Sequence, residues 1–518
     1  MRDLGLSLLA TAERNGGALA IIDGDLRLTY GEWLDRVLRL VNGLYGLQLR
    51  PGDHVLSLLQ NRWEAATLHW ACQFAGLVIT PLNWRAKADE IGYCARDSRA
   101  KIVFFQDVSS DAVSSCAAIG AIPRVAVGGA PGGTHAFQDL LAVAPAPAVP
   151  QASTEALSVL LYTSGTTGKP KGVPRRHRHE RAAAVAHVAQ NLYARGERTL
   201  GVMPLYHTMG VRSLLAMTLV DGCFICLPRF EAAAALQIIE RERVSCLYLV
   251  PTLYHDLVRH ERFALSDVRS VRKLGFAGAA MPEGLLKRVA TAFKPELFVN
   301  HYGSSEIYTF TIEPDAARKP GSAGKAGLNQ RIRVVRLNAV NPGDVAALGE
   351  EGEIIADLAS DEAFEGYWQR PDADAKAIRD GWYFTGDTGF IDADGDIFVT
   401  GRVDDMIISG GENVSPGEIE SVLSLHPDIA EVAVAGLPDE RWGKRIVAFL
   451  KCARPIERQR LDEWCQRSSL ANFKRPRDYV FVHEIPKSPV GKILRRKLVA
   501  GEYEIEAAFI AVAKGSVA

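Results

Sequence analysis

The sequence has no run of 18 apolar residues, so no segment has the length and hydropathy of a membrane-spanning helix. It also lacks a charge excess. Sixty Lys and Arg residues against 61 Asp and Glu give a net charge of −1, which removes bulk attraction to nucleic acid or to an anionic membrane and leaves only local patches. Cysteine is sparse, eight in 518 residues, and the one close pair, Cys223-Phe-Ile-Cys226, lies in an apolar run that reads as a buried strand. With no second pair at ligand spacing, these are expected to be core thiols rather than a zinc or redox site, in a reduced, cytoplasmic protein. The first residues are not expected to form a secretory leader. Leu4-Gly-Leu-Ser-Leu-Leu-Ala-Thr-Ala12 is preceded by Asp3 and followed by Glu13-Arg14, and its Leu4, Leu8 and Leu9 suit the apolar face of a first helix.

Hydrophobic content of 47% provides ample core, and 518 residues exceed what one core supports, at a prior of ~150 residues per domain. The most informative stretch is Thr163-Ser-Gly-Thr-Thr-Gly-Lys-Pro-Lys-Gly172, which follows the strand-like Leu157-Ser-Val-Leu-Leu-Tyr162. Three glycines, four hydroxyls and two lysines make a phosphate-binding loop: glycines admit close backbone approach, N–H groups and hydroxyls donate, and lysines balance charge. It is not a Walker A loop, because the glycine spacing is too short and Pro170 stands where a hydroxyl should follow Lys169.

Residues 18–150 alternate strand-like and helical runs, the pattern of a mostly parallel sheet covered by helices. Ala144-Pro-Ala-Pro-Ala-Val-Pro150 reads as a loop between subdomains. The basic run Arg175-Arg-His-Arg-His-Glu-Arg181 lacks aromatic interleaving and is expected to be a solvated helix start, not a nucleic-acid surface. Strand-and-helix units recur around 247–250 and 271–282. From about 330 shorter runs with turn signals such as Asp394-Gly395 indicate hairpins, and the last hundred-odd residues mix strands and helices as a small separate domain.

Four further constellations follow: Tyr302-Gly-Ser-Ser-Glu306, Tyr383-Phe-Thr-Gly-Asp387, Gly401-Arg-Val-Asp-Asp405 and Pro486-Lys-Ser-Pro-Val-Gly-Lys492. In this order, with the glycine loop, they resemble the acyl-activating superfamily of adenylate-forming enzymes across essentially the whole chain. Met203-Pro-Leu-Tyr-His207, residues 401–420, Arg441-Trp-Gly443, Asn472-Phe-Lys-Arg-Pro476 and Lys492-Ile-Leu-Arg-Arg496 are most similar to benzoate and 4-chlorobenzoate CoA ligases. The resemblance implies an α/β fold. A large N-terminal domain, 1–403, carries mixed and parallel sheets under helices plus a β-barrel-like subdomain, and a small mobile α+β domain spans 404–518. It implies an ATP-dependent, AMP-forming acid–thiol ligase, which makes an acyl-adenylate and transfers the acyl group to coenzyme A.

The same resemblance assigns roles. Thr163, Ser164, Gly165, Thr166, Thr167, Gly168, Lys169 and Lys171 would hold the β- and γ-phosphates of ATP. Lys492 would reach the carboxylate and α-phosphate, and Glu306 would bind Mg²⁺, a hard cation that wants oxygen. Ser305, where the family commonly has threonine, would touch phosphate. Tyr302 would lie beside adenine opposite the backbone of Gly278, Ala279 and Ala280, and Asp387 and Arg402 would take the ribose hydroxyls. Asp404 occupies the hinge position about which the small domain turns between half-reactions. Turned, that domain would present Gly410 and Gly411 to the pantetheine channel and Trp442, Phe473, Arg475 and Arg477 to the CoA nucleotide, with Arg85 reaching from the large domain.

His207 corresponds to a residue beside the substrate carboxylate, and Thr208, Met209, Tyr248, Ala279, His301, Ile307, Tyr308 and Thr309 fall at pocket positions. His301 and Tyr308 replace apolar residues typical of the chlorobenzoate enzyme, which suggests a smaller or more polar ring such as benzoate, hydroxybenzoate or a heteroaromatic acid. Arg212 is expected on the helix surface; the competing reading has it meet a second carboxylate. A medium-chain or dicarboxylic acyl-CoA synthetase and a ligase loading a carrier protein remain alternatives. No nucleic-acid or membrane partner is expected, and a homodimer stays an open expectation.

Overall fold

The computed structural model describes residues 3–163, 170–410, 412–468, 470–487 and 493–506. The first helix, Leu4–Asn15, is capped by Asp3, whose side chain accepts from the N–H of Leu6. The next, Tyr30–Gly46, begins with a capping box between Thr29 and Glu32 and buries Trp33, Val37, Leu40, Val41 and Leu44, a spacing of three and four that makes one apolar face. Trp63–Ala75 is buried on every side. It belongs to a core shared by Val55 and Ile79 of one sheet and Phe224 and Cys226 of another, so this helix lies between sheets and can afford no polar face.

Among the described residues there are three sheets. In the first, His135–Ala136, Arg124–Val127, Ile102–Gln106, His54–Leu58, Val78–Pro81 and Leu157–Thr163 run parallel, and Lys171–Arg176 closes the edge antiparallel. The two strands flanking the glycine loop therefore pair with each other, Thr163 opposite Lys171. The second sheet has a parallel half, Leu19–Asp23, Cys223–Cys226, Arg198–Gly201, Cys246–Leu249, Lys273–Phe276 and Leu297–Tyr302. It continues antiparallel through Thr311–Glu313 and Ser322–Ala326 into the hairpin strands beyond 330. The third sheet, built on Ile429–Asp439 and Gly443–Cys452, is the core of a smaller C-terminal domain with the helices Pro416–Ser424 and Arg458–Arg467. Cys223 and Cys226 are buried in their strand, as core thiols should be.

One expectation fails here. The basic run is not a solvated helix start: Arg175, His177, His179 and Glu180 are all buried. Arg175 lies near the end of the strand Lys171–Arg176 inside the molecule, where Glu180 accepts from its Nε at 2.8 Å and the carbonyl oxygens of Glu306 and Glu362 accept from Nη1 at 2.9 and 2.6 Å. A carboxylate and two carbonyls in reach replace the water this guanidinium loses.

Candidate active site

In open α/β sheets ligands bind beyond the carboxyl ends of parallel strands. Here those ends bring together four predicted segments: 203–209 after Arg198–Gly201, Val250 after Cys246–Leu249, 277–280 after Lys273–Phe276, and Tyr302 itself with the turn to Glu306. Gly278 has φ +85°, and a Cβ there would lie 3.3 Å from Val250 Cγ1 and 4.0 Å from Met209 Sδ, so three of these segments touch. Gly278, Ala279 and Ala280 are exposed, and His207 and Tyr302 are half-buried, which makes this rim the open side of the site.

The Tyr302 hydroxyl donates to Asp387 Oδ2 at 2.6 Å, and Arg402 Nη1 lies 2.5 Å from Asp387 Oδ1. Strand register produces the second contact: Asp387 and Arg402 are directly opposed in the hairpin Trp382–Ile391 with Ile397–Arg402. Arg402 also donates to the carbonyl of Thr385, whose hydroxyl receives the N–H of Asp387. Burial works against the Arg402 charge, but Asp387 more than restores it, and the net effect is upward. Tyr302 is held well above the ordinary phenol range, by burial and then by the Asp387 charge.

Glu306 is buried, and its Oε1 accepts from the Tyr367 hydroxyl at 2.6 Å. Lys171 Nζ lies 4.1 Å above the Tyr367 ring, and its pKa is lowered by burial, which the charge of Glu306 opposes. One tyrosine thus joins the base of the glycine loop to the expected Mg²⁺ ligand. Residues 164–169, with Ser164, Gly165, Thr166, Thr167, Gly168 and Lys169, lie outside the described residues, as do Gly411 and Lys492. Ser305 is half-buried beside Ser304, whose hydroxyl accepts from the N–H groups of Glu306 and Ile307.

The expected acyl-pocket residues Tyr248, His301, Tyr308 and Thr309 do converge, and what joins them is Arg212. It is 2% exposed, not on a helix surface. Thr309 Oγ1 accepts from its Nη1 at 2.5 Å, the carbonyl of Tyr308 at 3.3 Å, and the Tyr248 hydroxyl from Nη2. The helix Thr208–Leu219 packs between sheet and helices, so its position 212 has no solvent side, and the arginine turns to these oxygens. Ile307 belongs to a different apolar cluster, with Val173, Phe310 and Phe364.

A scan against protein-family models matches the AMP-binding enzyme family over residues 8–368 and the AMP-binding enzyme C-terminal domain over 418–492. The chain is an AMP-binding enzyme. This AMP-binding enzyme is 33% identical over 495 residues to a 4-chlorobenzoate–CoA ligase of Arthrobacter sp, covering 94% of this chain and 93% of that one. It is 34% identical to a feruloyl-CoA synthase of Amycolatopsis sp, covering 96% and 98%. Among solved structures it superposes on the anthranilate CoA ligase AuaEII in complex with anthranoyl-AMP with a TM-score of 0.89, at 27% identity and 98% coverage of both chains. It is thus an adenylate-forming enzyme close to the chlorobenzoate CoA ligases.

In the smaller domain of the AMP-binding enzyme, Gly410, Trp442 and Arg477 assemble. Gly410 has φ +61°, its N–H donates to the carbonyl of Trp442 at 2.9 Å, and a Cβ would lie 2.8 Å from the indole. The Arg477 guanidinium stacks 3.8 Å from the same ring. Phe473 is exposed, while Arg475 pairs with Asp462 at 2.9 Å. Arg85 is exposed above Trp84 at 3.6 Å, and Asp404 lies in an exposed turn between Ile397–Arg402 and Ile407–Ser409. No helix of the described residues is long and apolar enough to cross a membrane.

Motif reading passed over Tyr367, Thr385, Glu362, His187 and Asn191. Tyr367 had a signal: Gly366 before it sits at φ +128°, where a Cβ would meet the Asp374 carboxylate at 2.9 Å, and a glycine before paired aromatics marks a forced close approach. Thr385 lies within the quoted Tyr383–Asp387 motif without a role assigned to it, and Glu362, His187 and Asn191 had no signal.

Proposed function

We propose that this enzyme is an ATP-dependent, AMP-forming aryl carboxylate–CoA ligase. A carboxylate oxygen attacks the α-phosphorus, the bond to the bridging oxygen breaks and pyrophosphate leaves; the CoA thiol then attacks the acyl carbon, loses its proton, and AMP leaves. The observation that carries the reading is the Tyr302–Asp387–Arg402 group. It sets an aromatic ring, an ionised acceptor and a fixed cation at one end of the rim, as a nucleoside requires, while Glu306 and Lys171 meet at Tyr367 nearby.

The chain's own residues divide the work. Asp387 accepts the ribose hydroxyls, with Arg402 fixing the carboxylate's position. His207 caps the helix Thr208–Leu219 at the rim, its Nδ1 accepting from the Met209 N–H at 3.3 Å, and it orients the carboxylate. Glu306 fits Mg²⁺: it is a hard oxygen donor whose other oxygen bond, from Tyr367, fixes the carboxylate's orientation, and one such ligand suits an ion that keeps waters and takes phosphate oxygens. When bound, the ion neutralises phosphate charge. The smaller domain, hinged at Asp404, brings Lys492 for adenylation and Gly410, Trp442 and Arg477 for CoA; a cationic arginine stacked on indole is suited to a phosphorylated adenosine.

Aryl acids are favoured over alkyl acids because relatives named for chlorobenzoate and ferulate match over nearly the whole chain and the pocket end is ringed by Tyr248, His301 and Tyr308; a long-chain-fatty-acid–CoA ligase of Mycobacterium tuberculosis, 33% identical, makes alkyl acids the competing class. ATP–pyrophosphate exchange across aryl, alkyl and dicarboxylic acids tests this, and thioester formation with CoA omitted separates a CoA ligase from one loading a carrier protein. Exchange with long alkyl acids in preference to aryl acids defeats the reading.

A further inference from the structure

The inner end of the acyl pocket carries polar atoms that the protein itself leaves unsatisfied. His187 and His301, 0% and 2% exposed respectively, flank Tyr248, with ring centroids 4.7 and 5.0 Å from it. Asn191 bridges them. The carbonyl of His187 can only accept, so the Asn191 atom 2.8 Å from it is Nδ2, and this fixes the amide. The same Nδ2 then donates to His187 Nδ1 at 2.9 Å, which places that imidazole's proton on Nε2. Asn191 Oδ1, 3.1 Å from His301 Nε2, accepts from it, which leaves His301 Nδ1 as a bare acceptor. Both rings are neutral, since burial and then the charge of Arg212 hold them well below the usual imidazole range.

Among the described residues the atoms that lack partners here include the donors His187 Nε2–H and Arg212 Nε–H, the acceptor His301 Nδ1, and both carboxylate oxygens of Glu362, which feels the charge of Arg212. Unpartnered groups occur elsewhere in the core too, but here donors and an acceptor cluster at the end of the expected pocket, where a ligand atom can bond to them. Thr208, Met209 and Arg212 share one helix face, and the rise from Thr208 to Arg212 is ~6 Å, about the depth of one aryl ring below the rim. Gly275 lets Tyr248 and Asn191 pack close at this end: a Cβ would stand 3.0 Å from Tyr248 Cδ2 and 3.2 Å from Asn191 Oδ1.

We infer that Arg212, His187 and His301 form a hydrogen-bonding end to the acyl pocket that selects an aryl acid bearing a ring hydroxyl, with Arg212 as the specificity-determining residue. This rests on the ligase reading above. A hydroxyl accepts from Arg212 or His187 and donates to His301. A chlorine or methyl group satisfies none of them. A second carboxylate has no hydrogen for His301 and adds negative charge near Glu362, whose carboxylate feels both Arg212 and Arg175.

The wild-type enzyme alone provides the first test, through kcat/KM in pyrophosphate exchange with hydroxybenzoates, benzoate, 4-chlorobenzoate and benzenedicarboxylates. At least one hydroxybenzoate isomer is expected to exceed benzoate and 4-chlorobenzoate by more than about tenfold, because a site built to bond a hydroxyl rejects analogues lacking it. The second test is Arg212→Met combined with Glu362→Gln, which removes both charges together. It should erase that ratio, read as kcat/KM for the preferred hydroxybenzoate over kcat/KM for benzoate within the same variant, and Arg212→Lys should restore part of the ratio. Wild-type preference for chloro, alkyl or dicarboxylic acids, or an equal loss on every acid in the variant, overturns the assignment and leaves the ligase standing. Absence of exchange with any acid overturns the ligase reading itself.

Discussion

Tyr367 donates its hydroxyl to Glu306 at 2.6 Å and offers its ring face to Lys171, so a single side chain orients the expected metal ligand and a lysine at the base of the glycine loop. Tyr367→Phe keeps the ring and removes the donor. Stability should change by about 1 kcal/mol, the net worth of one hydrogen bond, and pyrophosphate exchange should need more Mg²⁺ and fall about tenfold at limiting Mg²⁺, as when a residue that orients a metal ligand is removed. An unchanged Mg²⁺ titration would assign the bond to packing alone.

Asp387→Asn retains shape but removes the charge that Arg402 and Tyr302 face. The expected result is a KM for ATP raised by about ten- to a hundredfold, corresponding to roughly 1.5–3 kcal/mol for a charge-assisted bond. The KM for the carboxylic acid should stay within about threefold.

Arg175 and Glu180 form a pair with neither side chain exposed. Arg175→Met leaves Glu180 buried and unpaired and should cost about 3–5 kcal/mol in urea unfolding. Adding Glu180→Gln should recover a large part of that loss, because the lone buried charge is then gone.

Six buried histidines set the acid limit. Burial lowers His54 and His177 to about 4 and His69 to about 3, and it lowers His179, His187 and His301 as well. A group whose folded pKa is depressed contributes stability present above its unfolded value, here 6.5, and lost as pH falls toward the folded value. Glu362 runs the other way. Burial raises it to about 7 against the opposing charges of Arg212 and Arg175, so its contribution is complete below its unfolded pKa and disappears as pH rises through 7. Burial raises Asp23, Glu64, Glu90 and Glu353 as well, which opposes the histidines, so unfolding near pH 5 should show a smaller net proton uptake than the six histidines alone would give, and Tm should fall between pH 6.5 and 4.5. Glu362→Gln should raise Tm at pH 8 relative to pH 5.

Lys492→Ala should abolish adenylation yet largely retain thioester formation from supplied acyl-adenylate and CoA. Equal loss of both half-reactions would contradict the two-state scheme hinged at Asp404.

Local chemistry was legible in the chain. The capping box at Thr29 and Glu32, the Asp394-Gly395 turn and the alternation of runs through 18–150 depend on neighbours in sequence, and the structure places helices and strands there within a residue or two. Tyr302, Glu306, Asp387 and Arg402 were also legible, because each sits in a short motif. Arg212 and the run 175–181 were misread for one reason. Charged residues are usually exposed, and only partners 96 or 131 positions away, such as the carbonyls of Tyr308 and Glu306, make their burial tolerable.

By itself, then, the sequence determined the order of the motifs and the alternating elements, since backbone preference and periodicity act over a few residues. Tertiary structure decided which polar atoms meet and which are left over. The unpaired nitrogens of His187, His301 and Arg212 come together only because three elements separated in sequence pack against one another.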